Sequence, residues 1–483
     1  MRIFMRFKYL EYFILFLILI FAFLIRLYKI ENPVADWHSW RQADTSSVTR
    51  IYVNEGVNLL LPRYYDISTI QTGKFNPRGY RFVEFPLYNF LHFLLYNIYP
   101  KFSLEIWGRL LSVILSIISG ILIFFIGRWV ENKWYGLVSS FLFLFIPFNI
   151  YYSRVILPEP LAVCLGLLSL SFFILFVERY KVYYLFFAAI FLSLGVLVKP
   201  FVLFYSIPMI FLLLRNFGFK KVFNDKVLLS SLVVFVLIII LPFVLWRLWE
   251  TQFPEGIPFW KWMFNGDRIR FRPSFWRWIF GERIGHLILG GWGLVPFVLG
   301  FLVKSKNSFE RIFFLSSAFY LILVATANVR HDYYQTLIIP SISLILARGS
   351  FWMFQTKCFN KVALVFVLFF CLGIGFITSL STIKDFYNVN HPEIIMAGSA
   401  LDKLAPKNSL VITPYNADTA FLYQTNRYGW PYLDRSIDEL IEKGAEFYVS
   451  VNFDSQTKEL SENFELVKKT DSYIILDLKR RKI

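Results

Sequence analysis

Five ionisable residues in an otherwise apolar chain mark where chemistry can occur: Asp36, Asp44, Glu84, Glu159 and Lys199. Charged groups at membrane depth are costly, so they usually line a wet cavity or pathway. Asp36 stands in ADWHSWRQADT. A carboxylate fixed there and partly desolvated can take a proton from an alcohol. Arg41 and Asp44 in the same stretch are its expected orienting ion pair; a solvated loop acid is the plainer alternative. Glu84 lies in FVEFPLY, where Pro86 shapes the approach to an aromatic segment. Glu159 sits between two prolines in SRVILPEPL, which favour a helix start, and there the helix dipole alone would stabilise it. Lys199 closes an apolar stretch in GVLVKPF. It either snorkels at a helix end or pairs with a lipid-linked phosphate. Three acids around one cavity would repel one another unless an arginine, a lysine or a divalent metal intervened.

The elements that must position these residues are membrane helices. Of 483 residues, 57% are hydrophobic, 20% aromatic and only 17% charged. A soluble domain carries roughly 25% charged residues, so this chain has apolar solvent to face. The net charge of +17 does not imply nucleic acid, because the basic residues cluster in short loops between apolar runs. Stretches near the ~20-residue spanning length fall at about 10–29, 109–127, 134–153, 159–177, 183–200, 202–215, 227–249, 284–303, 312–329, 333–348 and 361–379. That predicts about eleven spans. The first ends in Arg26, Leu27, Tyr28 and Lys29 without a small-residue cleavage site, which makes it a retained span. With the N-terminus cytoplasmic, every short inner loop is basic, and the C-terminus lies outside. Four of the five residues then fall at the outer face. Cys164, Cys358 and Cys371 have no metal-like spacing and are expected to pack as small hydrophobes.

Two outer segments are long. In the first, 30–108, Asp44 and Thr45 are placed to cap a helix through Val48, Ile51, Tyr52 and Val53 that Gly56 ends. This helix and the aromatic run Phe85 to Tyr99 suit the membrane interface, and the same pattern is compatible with their merely packing on the helical bundle. The second, 250–283, holds Arg268, Arg270, Arg272, Arg277 and Arg283 among four tryptophans. These form an interfacial anchor or guanidinium forks for phosphate. The turn NVRHDYY carries Arg330, His331, Asp332 and Tyr333 towards the same outer face, and His286 near the start of the eighth span is a candidate metal ligand. Residues 1–381 are thus expected to form the membrane domain. From 382 to 483 a small external α/β domain is expected, with strands at Leu410–Thr413, Phe447–Val451 and Ser472–Leu478. Within it, Ser436 and Glu439 form a capping box for a helix closed by Gly444.

In order and sidedness these motifs resemble the GT-C glycosyltransferases that use polyprenyl-phosphate sugars. The likeness is to the family holding the protein O-mannosyltransferases and the bacterial aminoarabinose transferase. It rests on an acid after the first span (Asp36), the Glu84-Phe85-Pro86-Leu87 motif, an acid opening the fourth span (Glu159), Lys199-Pro200, the RHDYY turn and the external C-terminal domain. EFPL departs from the HPPL form of the protein mannosyltransferases and looks more like a bacterial branch whose acceptors vary. The resemblance implies a polytopic α-helical fold, with interfacial helices over an outer cavity, in the plasma (inner) membrane. It implies transfer of a sugar, with inversion, from a polyprenyl-phosphate donor to a lipid, glycan or protein hydroxyl. Asp36, with Asp44 and Glu159, would form the catalytic set. Lys199, Arg41, Arg270, Arg272, Arg330, His331 and Tyr333 would meet the donor phosphate, and Glu84 with His286 would hold a zinc, manganese or magnesium ion. The competing classes are a lipid or glycolipid transporter, which internal repeats and mid-membrane charges would favour, and a structural membrane component whose external domain binds a partner.

Overall fold

The computed structural model describes residues 9–357 and 359–482, so the basic extreme N-terminus and Cys358 lie outside the described residues. Six helical stretches are long and apolar enough to cross a membrane: Leu104–Val130, Glu159–Arg179, Pro200–Asn224, Lys226–Glu250, Asp332–Gln355 and Lys361–Leu404. Lys133–Phe145 and Val182–Val198 are shorter apolar helices. The protein is a multi-pass membrane protein. The figure of six against about eleven expected reflects broken or short helices. Pro147, which has no N–H to donate, separates Lys133–Phe145 from Pro147–Tyr152. Gly290 and Gly291, at φ +60 and +74, separate Arg277–Ile288 from Leu294–Leu302. A Cβ on Gly290 would stand 1.8 Å from the carbonyl oxygen of Gly375, so only glycine permits that approach.

The described chain forms two compact units. The first comprises the described residues of 9–30, 109–245 and 260–385, and is helical. Its pairs include Glu159–Arg179 on Val182–Val198 and Leu294–Leu302 on Ile339–Gln355. Cys164 and Cys371 are buried in it as expected. The second comprises residues 31–108, 246–259 and 386–483, so the long first loop and the C-terminal segment share one core.

In the second unit the helix at the first loop runs Ser39–Glu55. It starts five residues before the expected cap at Asp44 and ends at Gly56, φ +94, as expected. Asp44 is therefore an interior helix residue. Arg41, Gln42, Asp44, Thr45, Ser46 and Ser47 are all buried. A helix with that much buried polar surface packs on protein and is not an interfacial amphipathic helix. The aromatic run does form a helix, Leu87–Ile98, starting directly after Pro86. The C-terminal sheet has β1 (Leu410–Ile412), β2 (Gly429–Trp430), β3 (Ala445–Ser450), β4 (Phe464–Lys469) and β5 (Ile474–Arg481). Its order is β2-β1-β3-β5-β4. β1 is parallel to β2 and β3, while β5 is antiparallel to β3 and β4. The three expected strands are present; β2 and β4 are additions. Ser436 caps Ile437–Glu442 by accepting from the Glu439 N–H, and Gly444 follows at φ +99. Ile67 of the first loop packs in the same apolar core as Ile412, Trp430, Tyr448 and Leu476.

Candidate active site

In the first unit, the geometry follows from a helical hairpin. Tyr180, in the left-handed region, and Lys181 form the turn between Glu159–Arg179 and Val182–Val198. The start of one helix and the end of the next therefore lie at one end of the pair. Pro160 occupies the N-terminal turn of the first helix, where its missing N–H costs nothing. Pro200 forces Lys199 out of the helical region, to φ −151 and ψ 103. The result is an ion pair, Lys199 Nζ to Glu159 Oε1 at 2.5 Å, with side chains 6% and 1% exposed.

The NVRHDYY turn closes over this pair. The Lys199 ammonium lies 5.0 Å from the centre of the Tyr334 ring and 5.9 Å from that of Tyr333. His331 stacks on Tyr333 with ring centres 5.5 Å apart. Asp332 is buried, accepts from the Tyr152 hydroxyl and receives Arg283 at 3.4 Å. Arg283 thus reaches the turn's carboxylate. Arg270 donates to the carbonyls of Phe264 and Leu323, each at 2.9 Å, and Arg272 to that of Asp267 at 3.0 Å. Arg330 is exposed, 3.9 Å from Asp267 and over the Trp262 ring.

In the second unit, the acids each have a named partner. Asp36 accepts from the Gln42 amide at 2.6 Å. Arg41 pairs with Glu84. Asp44 receives Arg81 at 3.0 Å, Thr419 at 2.6 Å and Gln71 at 3.2 Å. The ion pairs formed are thus Arg41–Glu84 and Arg81–Asp44, where sequence suggested Arg41 with Asp44. Repulsion among acids is met by protein cations in both units: Arg41, Arg81 and Lys199. Asp418 caps Thr419–Gln424 through the Ala420 N–H at 2.7 Å and is met by the Ser39 hydroxyl at 3.4 Å. Burial, with Asp44 nearby, raises its carboxyl to about 6. Asp66, also buried, is raised to about 7.

Gln42, Arg81 and Thr419 were not singled out from sequence. Arg81, three residues before Glu84, carried the only local signal, a charge in an aromatic stretch. Thr419 is brought to Asp44 by the fold of the second unit.

Glu84 is committed to Arg41, His286 is exposed on Arg277–Ile288, and the described residues contain no group of three or more His, Cys, Asp or Glu side chains able to hold an ion.

A family model described as dolichyl-phosphate-mannose-protein mannosyltransferase matches residues 86–246. No curated protein matches the chain. Among solved structures, ArnT from Cupriavidus metallidurans bound to undecaprenyl phosphate is similar with a TM-score of 0.66 and 11% identity, covering 95% of this chain and 97% of that one. The oligosaccharyltransferase AglB from Archaeoglobus fulgidus, in complex with an inhibitory peptide and a dolichol-phosphate, gives 0.55 and 12% identity, covering 92% and 70%. A structure of the Archaeoglobus fulgidus oligosaccharyltransferase with zinc and sulfate gives 0.51 and 14%, covering 90% and 67%. The architecture of this chain is the GT-C fold, with a small C-terminal sheet.

Proposed function

We propose that the protein is an inverting glycosyltransferase that moves a sugar from a polyprenyl-phosphate donor to a hydroxyl acceptor at the extracytoplasmic face of the plasma membrane. The observation that carries this reading is the near-complete structural coverage of an undecaprenyl-phosphate-bound GT-C protein. The buried Lys199–Glu159 pair and the Asp36–Gln42 contact supply residues suited to the chemistry.

On this reading Asp36 takes the proton of the acceptor hydroxyl, oriented by Gln42. The freed oxygen bonds to the anomeric carbon as the bond from that carbon to the phosphate oxygen breaks. Polyprenyl phosphate leaves carrying the electron pair. Its charge is met by Lys199, which Glu159 fixes in place, with Tyr333 and His331 beside it and Arg41, Arg270, Arg272 and Arg330 as further phosphate contacts. Asp44 supports the helix that carries Arg41. Positioning and prearranged charge supply most of the rate. The N-terminus is cytoplasmic and the C-terminal sheet external, as the basic inner loops require.

The test is direct. Purified protein is incubated with a labelled polyprenyl-phosphate sugar and candidate acceptors. Release of free polyprenyl phosphate with label on the acceptor supports the reading; movement of intact donor between leaflets without release would replace it with a transporter.

A further inference from the structure

The second unit contains a cavity of about 600 Å³ that the proposed chemistry does not use. That size lies within the range of small-molecule sites, roughly 300–1,000 Å³. It opens at the C-terminal end of the Ser39–Glu55 helix, where Arg50, Asn54 and Glu55 meet Tyr65, Tyr96 and Tyr428. Asn54 lies ten residues beyond Asp44, about 15 Å along the helix, so this cavity is separate from the acids described above.

The chemistry of its wall is distinctive. Each charge on it is already neutralised by a neighbour. Arg50 pairs with Glu105 at 2.7 Å, Glu55 with Arg63 at 2.5 Å, and Lys407 with Asp402 at 2.7 Å. Glu55 also accepts from the Tyr428 hydroxyl at 3.0 Å. The wall is therefore close to neutral overall. The remaining polar groups suit hydroxyls. The Tyr65 ring is 4% exposed, and its hydroxyl is held beside Arg50. Asn54 is exposed, and the Asn426 amide lines the wall with its oxygen held by Arg50. Tyr65 and Tyr428 stand perpendicular, 89° apart with centres at 5.4 Å, so a face and an edge form a corner. Aromatic faces bind the C–H side of a pyranose, while fixed amides, carboxylates and hydroxyls bind its O–H groups.

We propose that this cavity is a binding site for a neutral carbohydrate, one to two sugar units long, distinct from the donor site. Combined with the transferase reading, on which this added clause alone rests, the bound sugar belongs to the acceptor, which would make the acceptor a glycan. Binding itself involves no donor and no transfer.

The test uses full-length protein in detergent micelles, with maltose, cellobiose, chitobiose and inorganic phosphate as probes in ligand-observed NMR and calorimetry. The expected result is saturable binding of at least one disaccharide and no displacement of it by phosphate. Asn54→Trp, which fills the mouth, and Tyr96→Ala should each weaken that binding about tenfold or more, while Tyr96→Phe retains it. Each variant should keep the wild-type melting temperature, since residues 54 and 96 are not fully buried. Asp36→Asn, which should keep its melting temperature, should bind the disaccharide normally even if it transfers nothing, which separates failure of this site from failure of the transferase reading. No disaccharide bound, binding indifferent to both Asn54→Trp and Tyr96→Ala, or phosphate displacing the sugar would each overturn the proposal.

Discussion

The two units hold their ionisable residues in opposite ways. In the first, Glu159 and Lys199 are paired by local geometry: a hairpin with proline at both ends delivers them to one place. In the second, Asp44 is held by groups from far along the chain, Arg81 and Thr419, inside a helix whose buried face is polar. A hairpin can be inferred from apolar spacing and prolines. A polar cluster closed by long-range contacts leaves no periodic trace. On the proposed function the difference also separates roles: the first arrangement would supply a fixed cation, the second a network that positions a base.

Substitutions can break this contrast in order of expected effect. Asp36→Asn keeps an oxygen for Gln42 but cannot take a proton. Transfer should fall by about 10²–10⁴-fold with unchanged melting temperature, measured with the labelled donor. Wild-type turnover would remove Asp36 as base. Lys199→Met leaves Glu159 buried without its cation, which typically costs about 3–5 kcal/mol and should appear as a large drop in melting temperature as well as lost transfer. Lys199→Arg should recover much of the stability. A Met variant as stable as wild type would show that the hairpin pair is not a structural pair at all.

The second unit should show its own pH signature. Asp66 at about 7 is raised above its unfolded value of 3.8, so the folded state holds a proton that the unfolded chain has lost. Stability is therefore full below about 4 and declines as the pH rises to about 7, by up to about 4 kcal/mol for a three-unit shift. Asp418, raised to about 6, acts in the same direction. Thermal unfolding across pH 4.5–8 should show the decline, and Asp66→Asn should flatten most of it; an unchanged slope would contradict burial as the cause. Last, Thr419→Val removes hydrogen bonds to Asp44 at 2.6 Å and to the Trp40 carbonyl at 3.1 Å. About 1–3 kcal/mol of stability should be lost, read by denaturant unfolding, with Lys199–Glu159 unaffected.

How far the sequence alone leads follows the same division. Gly56 as a terminator, the Ser436 cap and the strands near Leu410, Phe447 and Ile474 were all recoverable, because each depends on a few adjacent residues. The start of the Ser39–Glu55 helix was not: His38, at φ +56 with no side-chain cap, carries no capping signal. The two-residue strand Gly429–Trp430 exists only through pairing with β1, so no alternation could announce it. Span breaks at Gly290 and Gly291 were missed because hydropathy averages over a turn of two residues. At the site, residue types were legible while partners were not. Glu84 was visible as an acid, while its pairing with Arg41 was not.

The claim that these arrangements serve one reaction is tested most directly by following free polyprenyl phosphate released from a labelled polyprenyl-phosphate sugar by wild type, Asp36→Asn, Lys199→Arg and the double variant. The account predicts robust release by wild type, strong loss in each single variant, and a double variant hardly worse than the weaker single. No release by folded wild type with any donor, or single variants that both retain full release, would contradict it.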